Sequence, residues 1–129
     1  MNVARGHCLC GAVRFRVEPA PTRLWFCHCG QCRRAQGTAF AASVPVSAAA
    51  FTLESGADRL RAYRATPAKA RWFCGDCGSP VYSAVDGLDT LRVRAGLFDP
   101  ALPLTPVAHI FTADEGEARG RLLVLDVRG

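Results

Sequence analysis

Phe26-Cys27-His28-Cys29-Gly30-Gln31-Cys32-Arg33-Arg34 sets three thiols in a C-x-C-x-x-C pattern within six positions. That is too dense for ordinary core packing, and one sulfur more than the two that a metal-binding knuckle supplies. Three cysteinates around a tetrahedral zinc leave the fourth position open, which separates a working ion from a structural one. Two other clusters hold the rest of the seven cysteines, Cys8-Leu9-Cys10-Gly11 and Cys74-Gly75-Asp76-Cys77-Gly78. The C-x-x-C turn aims both sulfurs at one ion, and its glycines allow the left-handed backbone such a turn needs. Cys8 and Cys10, alternate residues of an extended segment, face one side with Leu9 opposite. Two plus two closes a four-thiolate site, and Cys27, Cys29 and Cys32 remain as a three-ligand site. Spacing alone leaves open a single ion that takes three thiols and one from elsewhere.

Working outward, the 129 residues are 50% hydrophobic and 21% charged, a globular composition expected to form a single domain over residues 1–129. The opening Met1-Asn2-Val3-Ala4-Arg5 is followed by no apolar run, which reads as no secretion signal. No stretch approaches the ~20 apolar residues of a membrane helix. The expected setting is therefore cytoplasmic, where thiols stay reduced and an odd number of clustered cysteines favours zinc over disulfides. The net charge of +5 is almost all arginine, with Lys69 the only lysine. Those arginines are scattered, so a pocket for an acidic ligand is a better reading than a nucleic-acid surface.

Val13, Phe15 and Val17 alternate with arginines and predict a half-buried strand, broken by Pro19 and Pro21. Further strands are predicted at 24–26, at 39–46 and 51–53 with a separation near Pro45, and at 60–64, 70–73, 80–83, 90–95, 107–111 and 122–127. A helical turn over 33–36 is stopped by Gly37. Many short strands with Gly and Pro turns mean a mainly β fold.

Histidine could complete the three-thiol site. His28 points away from its cysteine neighbours on an extended backbone, and His7 stands in the same relation to Cys8, so both read as ordinary residues. His109 reads either as a hydrogen-bonded, half-buried residue or as a group at the mouth of the open zinc.

At these residues the chain resembles the glutathione-dependent formaldehyde-activating enzyme family, whose relatives include centromere protein V. The matching stretches are Gly6-His7-Cys8-Leu9-Cys10-Gly11-Ala12-Val13, the C-x-C-x-x-C run with Gly37 and Phe40, and Arg71 to Pro80. Arg94-Ala95-Gly96-Leu97-Phe98-Asp99 and Pro106-Val107-Ala108-His109-Ile110 continue the match. The resemblance implies a β-tent fold of twisted antiparallel sheets with two zinc ions. It assigns Cys8, Cys10, Cys74 and Cys77 to a structural zinc and Cys27, Cys29 and Cys32 to a catalytic one. It also implies an activity, the joining of glutathione and formaldehyde to S-hydroxymethylglutathione, a carbon–sulfur lyase reaction in reverse. The chain departs from the family after the His-Ile strand, where residues 111–120 contain no tryptophan.

The chemistry of the donors points the same way. Zinc with three cysteinates carries a formal charge of about −1, which makes it a poor activator of water but a good host for a fourth sulfur. A substrate thiol bound there would ionise below its usual ~8.5. Arg33 and Arg34, then Arg71, are the candidates to offset the negative charge and bind substrate carboxylates, with His109 as a further substrate-binding candidate. The same zinc chemistry on another thiol or electrophile stays open, as does a non-catalytic zinc module that binds protein or nucleic acid.

Overall fold

The computed structural model describes residues 2–100 and 102–110. Eleven strands and one α-helix follow in the order β1 (Ala4–His7), β2 (Arg14–Val17), β3 (Arg23–Cys27), α1 (Gly30–Gln36), β4 (Ala41–Ser47), β5 (Phe51–Ser55) and β6 (Leu60–Thr66). Then come β7 (Lys69–Cys74), β8 (Pro80–Val85), β9 (Thr90–Arg94), β10 (Phe98–Asp99) and β11 (Thr105–Ile110). They form a four-stranded sheet, β10-β1-β2-β5, and a seven-stranded sheet, β11-β3-β4-β9-β8-β7-β6. The mainly β expectation holds. Pairing is antiparallel throughout except where β11 runs parallel to β3.

The alternation of Val13, Phe15 and Val17 does what its period requires. All three are buried, and Phe15 stacks on Phe51 at 5.2 Å and meets Phe98 edge-on at 5.4 Å. From the facing sheet Val44, Val46, Val81 and Val93 close the same core, with Phe51 and Tyr82 in contact across it at 5.3 Å. Truncating a buried Phe costs roughly 3–5 kcal/mol, so this aromatic knot anchors the small sheet to the large one. By contrast β6 is an edge strand, and its alternating pattern leaves nearly every residue exposed.

Two expectations change. The two strands expected on either side of Pro45 are separated at Ala48–Ala50 instead, and β4 runs through Pro45 to Ser47. Pro45 lies beyond Ser43, the last residue of β4 that pairs with β3, so the strand has a free edge there and tolerates a missing donor. The helical turn expected at 33–36 begins earlier, at Gly30, because Cys29 caps it: its Sγ accepts the Cys32 N–H at 3.2 Å. Gly37 ends the helix in the left-handed region at φ 66°, as expected. The strand predicted at 122–127, Phe111 of the strand at 107–111 and the divergent segment 111–120 lie outside the described residues. Among the described residues no helix is long and apolar enough to cross a membrane.

Candidate metal centre and thiol site

Cys8 follows β1, and Cys74 and Cys77 flank the turn from β7 to β8, so the turns of two different sheets meet at the first cysteine cluster. The Sγ atoms of Cys8, Cys10, Cys74 and Cys77 all lie within 4.8 Å of one another. Cys8 to Cys10 is 3.6 Å and Cys10 to Cys74 is 3.8 Å. A tetrahedron of sulfurs about 2.3 Å from zinc has edges of about 3.8 Å, so the donors already stand at metal-binding spacing. Cys8 and Cys74 belong to the buried core, which makes the cluster part of the seam between the sheets.

The local geometry differs from expectation at two points. Cys8 to Cys10 is not extended: the Gly11 N–H bonds the Cys8 carbonyl at 3.0 Å and Gly11 adopts φ 81°, which makes a turn that leaves Leu9 84% exposed. In the C-x-x-C turn only Gly78 uses positive φ, at 80°. Gly75 is required for space instead, since a Cβ there would stand 2.6 Å from Arg61 Nε and 3.1 Å from the Arg59 carbonyl. Ser79 ties the two turns together, accepting the Leu9 N–H at 3.0 Å and lying 3.3 Å from Cys77 Sγ. Those Ser79 contacts hold the Cys77 thiol down to about 5.

Cys27 ends β3, Cys29 is the helix cap and Cys32 sits in the first turn of α1, so one strand-to-helix corner delivers all three sulfurs. They too lie within 4.8 Å of one another. Cys27 and Cys32 are buried, packed with Ala41 and Ile110. Arg71, on β7, reaches across and donates from Nη2 to Cys32 Sγ at 3.7 Å. The thiols share protons unequally: hydrogen bonds from Cys27, then Cys29 and Arg71, hold Cys32 down to about 4, while the bond to Cys32 and burial push Cys27 up. Three sulfurs this close cannot all ionise without a cation among them, and a soft divalent ion is what three clustered thiols, two of them buried, suit.

Of the other expected residues, Arg34 is exposed on α1 and Arg33 is half-buried. His109 is not among the side chains gathered at the three sulfurs. It is hydrogen-bonded as one of its two readings had it, but exposed rather than half-buried: its Nδ1 lies 2.9 Å from His28 Nε2, and its ring packs on Phe26 at 5.0 Å. His28 is fully buried, and its N–H holds the Ile110 carbonyl at 2.9 Å. The imidazole pair therefore ties β11 to the cysteine corner.

Sequence reasoning passed over Arg94. It is 6% exposed, donates from Nη1 to Ser43 Oγ, and burial pulls its guanidinium down to about 10. The alternation of Arg92 and Arg94 in β9 carried the signal, since it puts both on one face. What it could not carry was that this face is covered.

The glutathione-dependent formaldehyde-activating enzyme family model matches residues 3–114. Among solved structures, a Rhodobacter sphaeroides protein determined as a structural genomics target superposes with a TM-score of 0.67 at 25% identity. The match covers 81% of this chain and 98% of that one. Two cysteine clusters on a shared β framework and a family match over most of the length lead to one conclusion: the chain belongs to the glutathione-dependent formaldehyde-activating enzyme family.

Proposed function

We propose that the protein is a zinc-dependent carbon–sulfur lyase-type enzyme that condenses glutathione with formaldehyde to S-hydroxymethylglutathione. The observation that carries this is the inequality of the two clusters, four gathered sulfurs in one and three in the other. Cys8, Cys10, Cys74 and Cys77 would hold a closed, structural zinc. Cys27, Cys29 and Cys32 would hold a second, and an ion there supplies a position at which a substrate thiol binds as thiolate and keeps its nucleophilicity.

The chain's own residues do the rest. The Cys32 N–H and the Arg71 guanidinium each direct a donor at a site sulfur, which fixes the cysteinates and offsets their charge. Burial of Cys27 and Cys32 keeps bulk water from competing with the thiol. In the reaction the glutathione S–H bond breaks, its sulfur forms a bond to the formaldehyde carbon, the carbonyl π pair moves to oxygen, and that oxygen takes up one proton in place of the one the thiol released. Arg33 and Arg34 remain candidates for the outer part of the substrate. His109, exposed on the edge strand β11, is a candidate for hydrogen-bonding the aldehyde oxygen.

The test is metal content per chain followed by exchange NMR on glutathione and formaldehyde. Two zinc ions and catalysed formation of the hemithioacetal are expected, with catalysis lost in Cys29→Ser. A fully loaded protein that leaves the uncatalysed rate unchanged would instead favour a non-catalytic zinc module.

A further inference from the structure

Strand register puts a set of cations on one face of the large sheet. Arg71 stands opposite Ser83, Ser83 opposite Arg92, and Arg94 opposite Ser43. Lys69, two residues before Arg71, shares that face. Arg92 is accounted for, because its guanidinium lies 5.3 Å from the Trp25 ring centroid. Arg71 and Arg94 are not. They are only 8% and 6% exposed, and no carboxylate pairs with either among the described residues. Each also keeps one buried guanidinium nitrogen without a partner, Nη1 of Arg71 and Nε of Arg94. Arg71 has only the Cys32 sulfur for a partner and Arg94 only the Ser43 hydroxyl, and burying a cation such as Arg94 with no anion in contact is costly and calls for further negative charge.

The space beside them has the shape for it. A cavity of about 190 Å³ between α1 and strands β7 to β9 is lined by both arginines, with Gln36, Trp72 and Tyr82 among its walls. A larger cavity of about 460 Å³ adjoins it and shares Gln36, Pro80 and Arg94. Ala41, in the wall of the larger one, packs directly on Cys27 and Cys32. The larger lobe falls in the range of roughly 300–1,000 Å³ of small-molecule sites, while the smaller suits one arm of a ligand.

We propose that Arg94, with Arg71, forms a carboxylate-binding pocket beside the three-thiol site, so that the protein selects thiols bearing a carboxylate over neutral ones. This rests on the reading of Cys27, Cys29 and Cys32 as the place that takes a substrate thiol. The carboxylate oxygens accept from the two guanidinium groups that line the smaller lobe, and the ligand body lies in the larger one. Planar guanidiniums suit a carboxylate better than ammonium groups do, because they offer two parallel donors. Arg34, exposed on the helix, has no part in the pocket.

The experiment uses S-methylglutathione, which has both carboxylates and no free thiol, and its diethyl ester, which has neither. Its result therefore stands whether or not a thiol coordinates metal. Calorimetric titration of the zinc-loaded protein is expected to show the diacid binding roughly tenfold to hundredfold more tightly than the diester. That gap is expected to collapse in Arg94→Gln. Arg94→Lys, which retains the charge and most of the stem, covers the case in which the glutamine variant fails to fold, and there the gap narrows because the fork geometry is lost. Equal affinity for diacid and diester, no binding of the diacid, or an unchanged gap in the folded variants overturns the proposal. Separately, a spectroscopic response at the metal to 2-mercaptoethanol reports on the thiol reading alone.

Discussion

Arg71 stands between the two kinds of chemistry in this molecule, with one guanidinium nitrogen on Cys32 Sγ and another buried beside a cavity. Outer-shell donors of this type hold a ligating sulfur in orientation and lower the charge it carries, and losing one costs roughly 10–100-fold in metal affinity. Arg71→Met is therefore expected to weaken zinc at the three-thiol site by about that factor and leave the four-thiol site unchanged. Competition with a chromophoric chelator reads the two sites as separate phases, and a uniform loss at both would contradict the assignment. Gly56 acts at the same scale on the other cluster. At φ 87° a Cβ there would lie 2.4 Å from the Ala12 carbonyl oxygen and 2.7 Å from Val13 Cα. Val13 in turn holds the Cys8 turn, with its carbonyl on the Cys8 N–H and its own N–H on Cys8 Sγ. Gly56→Ala is expected to destabilise by roughly 2–4 kcal/mol in a urea melt, because backbone rather than a flexible side chain must give way. A loss below about 0.5 kcal/mol, the level of an ordinary surface substitution, would mean that this backbone contact is not tight.

The corner from β3 into α1 carries three sulfurs on seven helical residues and one strand end, whereas the turns after β1 and β7 join two sheets through four. Cys29→Ser is expected to lose one zinc of two with the fold retained, while Cys10→Ser removes the ligand set that clips sheet to sheet. Metal analysis and thermal unfolding on both variants should show a large fall in midpoint for Cys10→Ser alone, and equal falls would argue against separate roles. The sequence made this division legible because clustered thiols have few other uses, and strands such as β2 and β9 were legible through their period of two. Other features were hidden for physical reasons. β1 contains Gly6, where a Cβ would meet Phe15 at 2.5 Å, so its place is set by packing and not by apolar pattern. β10 is two residues long, and α1 starts on a cysteine cap where a hydroxyl or carboxylate is the usual signal. The burial of Arg94 depends on α1 lying over a face whose local pattern looks solvated.

For the whole molecule, the two sheets share one apolar seam with the four-thiol cluster at its edge, while the three-thiol cluster sits at the far face beside the cations. On the function proposed above, stability and chemistry would fall to different metals on different faces. A metal in the closed four-thiol site would supply folding energy that a core of modest size lacks, leaving a buried corner free to carry an incomplete ligand set. The central claim is that the incomplete set is completed by the sulfur of the substrate. Zinc-edge X-ray absorption on the protein with two bound zinc ions tests it directly, before and after addition of glutathione. A gain of one sulfur ligand at one of the two ions, with a corresponding loss of a light-atom ligand, is expected. An unchanged sulfur shell in the presence of saturating glutathione would contradict it.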